Sequence, residues 1–129
     1  TSDNVEVVQP EAPERMNYVG AAHTSASVLF MLAEAATEAM VLYAFRSLTV
    51  DEDVVPFVIE STITYHRPAR GTLRAISTRA EEEQARVRDE LQHTGRARFP
   101  ISTRVIEEGG MLVASLEARW GLRRLRRDV

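Results

Sequence analysis

The sequence predicts an α+β domain in which one long central helix is wrapped by a mostly antiparallel sheet. Two observations carry this. From Val28 to Arg46 every residue is apolar except Glu34, Thr37, Glu38 and Arg46, too many for the single stripe of ~100° that a surface helix presents. From Phe57 onward the period changes to two, and successive segments alternate apolar and polar residues as half-buried strands do. A helix apolar nearly all round needs cover on several sides, and an amphipathic sheet supplies it.

The bulk numbers narrow the class. A chain of 129 residues makes a single domain over 1–129, large enough for a hydrophobic core without staples. There is no cysteine, which excludes disulfides, thiolate catalysis and cysteine metal sites and suits a reducing cytoplasm. The apolar run contains Glu34 and Glu38, so no uncharged span of ~20 residues is expected to cross a membrane, and no signal-peptide pattern is apparent. A net charge of −3 argues against nucleic acid as a partner, because phosphate neutralisation needs a basic surface. All sixteen basic residues are arginine, which reads as a coding bias toward GC-rich codons. Arg119, Arg123, Arg124, Arg126 and Arg127 nevertheless crowd the C-terminus.

Taken in order, Asn4–Gln9 is β-branched enough for a short strand that Pro10 stops. A loop to Met16 and beyond follows. Thr24 or Ser25 can N-cap the long helix by accepting from its free first-turn amides, which places it at about Ser25 to Arg46. Ser47–Pro56 reads as a loop. The next strand alternates Phe57, Ile59, Ser61, Ile63 and Tyr65 on one face with Val58, Glu60, Thr62, Thr64 and His66 on the other. Pro68 to Gly71 is a turn signal, and a strand follows at Thr72–Ala80. Glu81–Thr94 reads as a charged helix ended by Gly95. Its apolar positions, Ala85, Val87 and Leu91, are few, so it is expected on the outside. A strand at Arg96–Glu107 alternates cleanly, although Pro100 requires an edge or a bulge. The hairpin turn Glu107–Gly110 leads to a last strand, Met111–Arg123.

Glu34 is the residue to explain. On a 3.6-residue wheel Ser27, Glu34, Thr37 and Glu38 share a sector of roughly 100°, so they could simply be the solvated stripe of the helix. His23, His66 and His93 show no ligand-type spacing with the carboxylates, and no metal site is expected. No nucleophile elbow or phosphate-binding glycine loop is present.

The loop Asn17-x-x-Gly20-x-x-His23, the helix segment Leu32-Ala-Glu34-Ala-Ala36, the stretch Thr64 to Gly71 and the charged insertion before Gly95 occur in an order that resembles hotdog-fold thioesterases. The insertion is most similar to the bacterial DUF4442 or YiiD C-terminal-like subgroup. The resemblance covers residues 4–123 and implies a hotdog fold, with two copies paired side by side into a continuous sheet. It also implies an acyl-CoA or acyl-carrier thioester bound at the homodimer interface, in a dimer or a tetramer, with no cofactor beyond the CoA of the substrate. By this resemblance Asn17, His23 and Glu34 are the catalytic candidates, and Gly20, Thr24, Ser25 and Ser27 line the substrate. The spacing from Asn17 to Glu34 is about two residues longer than the family pattern. If Glu34 anchors the alignment, Ser25 rather than His23 occupies the histidine position.

Thioester hydrolysis needs a base or nucleophile and donors for the developing oxyanion. Glu34 would be the first, acting on water or on the carbonyl itself. The amides near Thr24–Ser27 would be the second, through the positive end of the helix. Arg67 and Arg70 at the Pro68 turn, or the terminal arginines, could meet CoA phosphates, since guanidinium pairs well with phosphate. Two other readings stay open: a hotdog dehydratase of hydroxyacyl thioesters, and a non-catalytic acyl-CoA-binding dimer.

Overall fold

The computed structural model describes residues 2–9 and 24–125. The elements follow in the order β1 (Ser2–Gln9), α1 (Ala26–Ala44), α2 (Arg46–Asp51), β2 (Val54–Tyr65), β3 (Leu73–Ala80), α3 (Glu81–Thr94), β4 (Arg96–Glu107) and β5 (Leu112–Arg124). The strands form one sheet ordered β1-β3-β4-β5-β2, and every pairing is antiparallel. The α+β expectation and its element order hold, with one addition: the segment expected as a loop after the long helix contains α2.

Helix α1 lies across one face of the sheet. Leu29, Leu32, Ala33, Ala36, Met40, Val41 and Ala44 are buried, so the helix sinks a face much broader than one stripe. Opposite them stand the inward residues of β4 (Ala97, Phe99, Ile101, Thr103, Val105) and of β5 (Ala114, Leu116, Ala118, Trp120, Leu122), all buried. The two polar exceptions on the inner face, Ser77 of β3 and Thr103 of β4, satisfy each other with a 2.5 Å hydroxyl pair, which removes the penalty of burying either alone.

The charged insertion does not lie outside the core as its composition suggests. Val87 and Leu91 of α3 are fully buried, while Ala85 is exposed. These two apolar residues, four positions apart, join the core cluster on the side where α3 packs on β4. Gln84 Nε2 donates to the Ala44 carbonyl at 2.6 Å, one of the acceptors a helix end leaves without an internal partner, and Arg88 Nη2 donates to Ser47 Oγ at 3.2 Å. On the far side Arg86 reaches Glu83 (2.6 Å), Glu90 (2.7 Å) and the Arg98 carbonyl (2.8 Å). Its hydrogen bond to Glu83, with the Glu83 and Glu90 charges, holds the guanidinium above the usual arginine range. α3 is thus pinned to β4. Phe45, between α1 and α2, packs tilted on Phe99 with ring centroids 5.0 Å apart.

Three irregularities shape the sheet, one of them a register shift of β4 against β5 between Val105 and Ile106 that passes over Val113. In β2 the register shifts between Val58 and Glu60, and Ile59 has no partner on β5. The bulge reverses the expected phase of the strand's first half. Phe57 faces outward with Gly121, and Val58 faces inward with Trp120, whereas Ser61, Ile63 and Tyr65 keep the inward side. Pro100 sits in β4, a central strand, yet β3 pairs with β4 only as far as Ser102. On that side Pro100 has no ladder to break, so the need for a local edge is met where α3 departs. At the β4–β5 hairpin Gly109 and Gly110 take φ of 90° and 86°, the left-handed geometry a tight turn asks of glycine.

The outer face is built differently. Arg96, Arg98, Pro100, Ser102 and Arg104 of β4 are exposed, as are Glu117, Arg119 and Arg123 of β5.

Candidate functional site at the edge strand and the start of the central helix

Glu34 leaves α1 toward β2. It is half-buried, and Ser61 Oγ donates to its Oε2 at 3.5 Å, the outer limit of a hydrogen bond. Beneath it the helix is fixed by a two-step relay. Trp120 Nε1 donates to Thr37 Oγ1 at 3.0 Å, and the same hydroxyl donates to the Glu34 carbonyl at 2.8 Å. Thr37 and Trp120 are both buried. The four polar residues of the helix therefore do not make one solvated stripe: Ser27 and Glu38 are exposed, Glu34 is half-buried and Thr37 is sealed in. Glu34 and Glu38 border a cleft of about 250 Å³ closed by Val41, Leu42, Val58 and Trp120.

The start of α1 forms a second concavity. Ser25 is its N-cap and accepts from the Val28 amide at 3.3 Å. The Thr24 amide donates to the Ala69 carbonyl at 2.8 Å, and Tyr65 Oη donates to the Ala26 carbonyl at 3.2 Å. These bonds tie the helix start to the turn after β2. Ala26 and Ser27 are exposed, and their first-turn amides lie beyond the reach of intrahelical acceptors. A hollow of about 300 Å³ opens here, lined by Thr24, Ala26, Tyr65, His66 and Arg67. Of the arginines at the Pro68 turn, Arg67 joins the hollow. Arg70 is exposed, and its amide donates to Glu107 at 3.4 Å. His66 makes a 3.0 Å contact with Ser115 Oγ.

Glu34 and the helix start do not share one concavity within a single chain. They are separated by eight residues, about 12 Å along the axis at ~1.5 Å per residue. Asn17, Gly20 and His23, and the arginines Arg126 and Arg127, lie outside the described residues. Arg119 and Arg123 face outward, while Arg124 turns to Glu52 at 3.4 Å. Ser61 and Tyr65 were not singled out from sequence. Their signal was nonetheless there, as two hydroxyl groups on the face of β2 that otherwise carries Ile63. Among the described residues no group of three or more side chains is placed to hold a metal ion.

The family described as Domain of unknown function (DUF4442) matches residues 1–122. No curated protein matches the chain. Among solved structures, a protein of unknown function from Pseudomonas aeruginosa, described as a probable thioesterase, is 28% identical, with a TM-score of 0.80 over 95% of this chain and 77% of its own. A thioesterase from Haemophilus influenzae aligns with a TM-score of 0.66 at 16% identity, over 97% of this chain and 75% of its own. A Bacillus halodurans protein solved with CoA aligns with a TM-score of 0.66 at 19% identity, over 91% and 66%. The last two show the shared fold. With a family match running from the first residue through nearly all of β5, the chain belongs to the DUF4442 family, and its sheet-wrapped helix is a hotdog fold of the thioesterase type.

Proposed function

We propose that the protein is a cytoplasmic homodimeric thioester hydrolase acting on acyl-CoA or an acyl carrier, with Glu34 as its base or nucleophile. The observation that carries this reading is the position of Glu34: a half-buried carboxylate at a cleft beside an open edge strand. β2 is twelve residues long and lies at the sheet edge. It exposes Val55, Phe57, Val58 and Tyr65, next to Met31 and Leu42 of α1. A long apolar edge with unpaired backbone groups invites another strand. A second copy joined about a two-fold axis satisfies both edges at once. Such a pairing runs the two α1 helices antiparallel and brings each helix start toward the other chain's Glu34, answering the ~12 Å gap within one chain.

In this reading the thioester carbonyl is polarised by the first-turn amides of the partner's helix, where oriented dipoles are most effective. Glu34 takes a proton from water as the water oxygen attacks the carbonyl carbon. The C–S bond then breaks, and the sulfur leaves as thiolate to be protonated. Ser61 orients the carboxylate. Asn17 and His23, which precede the pinned Thr24 in the chain, would position the water or the acyl group, and Gly20 would line the substrate. Arg67 would meet a phosphate of the carrier at the mouth of the helix-start hollow. The chemistry requires no cofactor beyond the substrate's own CoA.

The test is turnover of a panel of acyl-CoA substrates by wild type and Glu34→Gln, with the size of both measured by light scattering. We expect a dimer in both and a loss of kcat of about 10²–10⁴-fold in the variant, the range a general base contributes. Undiminished turnover in a folded variant would overturn the assignment of Glu34. Acyl-CoA binding without turnover in the wild type would favour the non-catalytic binding reading instead. Turnover of a hydroxyacyl-CoA by dehydration would favour the dehydratase.

A further inference from the structure

The outer face of the sheet, on the side away from α1, carries a second constellation. On β4 and β5 Arg98 stands directly opposite Gly121, Arg96 opposite Arg123 and Pro100 opposite Arg119. Four guanidinium side chains thus share one small area. Arg119 approaches Glu60 at 3.7 Å. Among the described residues Arg96, Arg98 and Arg123 have no ion-pair partner. Like charges placed directly across a strand pair destabilise it, so the Arg96–Arg123 juxtaposition is a cost that an anion between them would remove.

The same face carries an exposed aromatic ring and, apart from it, a groove. The Phe57 ring lies over Gly121, where a Cβ would stand 2.5 Å from its Cζ; only glycine gives the ring that seat. Phe57 is still 42% exposed. A groove of about 350 Å³ lined by Glu60, Thr62, Arg98, Pro100, Glu117 and Arg119 runs between the arginines, a volume in the range of small-molecule sites. Ser102 Oγ holds the Glu117 carboxylate at 2.6 Å.

From these features we infer that the outer face binds a nucleoside phosphate. The base would lie in the groove, against Pro100 and the Arg98 side chain. Glu60 and Glu117, which only accept hydrogen bonds when ionised, would take its exocyclic amino hydrogens. The phosphates would sit across Arg96, Arg98 and Arg123, which offer forked donors. A polynucleotide fits less well, because the chain is net acidic and glutamates interrupt the arginines. A second copy on this face would set arginine against arginine. The site does not depend on the thioesterase reading, since it lies on the opposite side of the sheet from Glu34.

The experiment is calorimetric titration of the full chain at low salt with ADP, coenzyme A and inorganic tripolyphosphate, repeated on the double variant Arg98→Ala/Arg123→Ala. Equal melting temperatures would establish that the variant folds. We expect saturable binding of ADP, weakened at least about tenfold in the variant, as loss of charge-assisted bonds implies, and tripolyphosphate weaker than ADP. If coenzyme A binds as tightly as ADP and loses the same factor, the natural ligand is the nucleotide end of a thioester carrier. If only ADP does so, it is a free nucleotide. Absence of saturable nucleotide binding, binding unchanged in the variant, or tripolyphosphate binding as tightly as ADP would each overturn the proposal. None of these readouts requires thioester turnover.

Discussion

Along β5 the two faces of the sheet follow different rules. Leu116, Ala118, Trp120 and Leu122 point inward and are buried, while Glu117, Arg119 and Arg123 between them point outward and are exposed. The inner set is constrained by volume, because α1 presses on it with side chains that have almost no remaining surface. The outer set is constrained by charge alone. Stability should therefore be concentrated on one side of a single strand, leaving the other free for recognition.

Three substitutions put that contrast to the test. Leu116→Ala empties a fully buried position under α1 and should cost about 2–5 kcal/mol, read as a lower midpoint in chemical denaturation. A smaller loss would mean that the helix can collapse onto the sheet. Thr37→Val keeps the shape but strips the hydroxyl, leaving the Trp120 Nε1 donor buried without an acceptor. We expect about 1–3 kcal/mol of destabilisation. We also expect reduced turnover, because the Glu34 carbonyl loses its tether. Arg104→Ala on the outer face should change stability by no more than about 0.5 kcal/mol. A larger effect would show that the outer face contributes to folding after all.

The sequence disclosed the volume-constrained parts well. Strict alternation from Ala97 to Val105 and from Ala114 to Leu122 is a period that only a half-buried strand sustains, and both strands lie where that period runs. It was less informative where one residue overrides a pattern. Nothing in the run from Phe57 to Tyr65 announces that Ile59 is passed over by its neighbour strand, and that bulge turns Phe57 to the outer face. Nor do Val87 and Leu91, isolated among charges in α3, announce that they seal the core. Two apolar residues in fourteen make no stripe, and their burial is decided by the sheet strands on which α3 packs, β4 above all, which local sequence cannot see. For the site, Glu34 was legible as an acid in an apolar run. Ser61 was not, because its relation to Glu34 exists only once β2 has curled over the helix.

The hydrogen bond from Trp120 to Thr37 has a consequence for how the chain is made. It joins residues 83 apart, and the donor lies on the last strand. At synthesis rates of 5–20 residues per second, helix α1 waits roughly 4–17 s before that partner emerges. During this interval most of the strands that will cover it are also unmade. By length and composition α1 is apolar enough to be taken for a membrane span. Until β5 closes over it, the nascent chain therefore displays a surface that chaperones would hold, and conditions that slow elongation prolong that exposure.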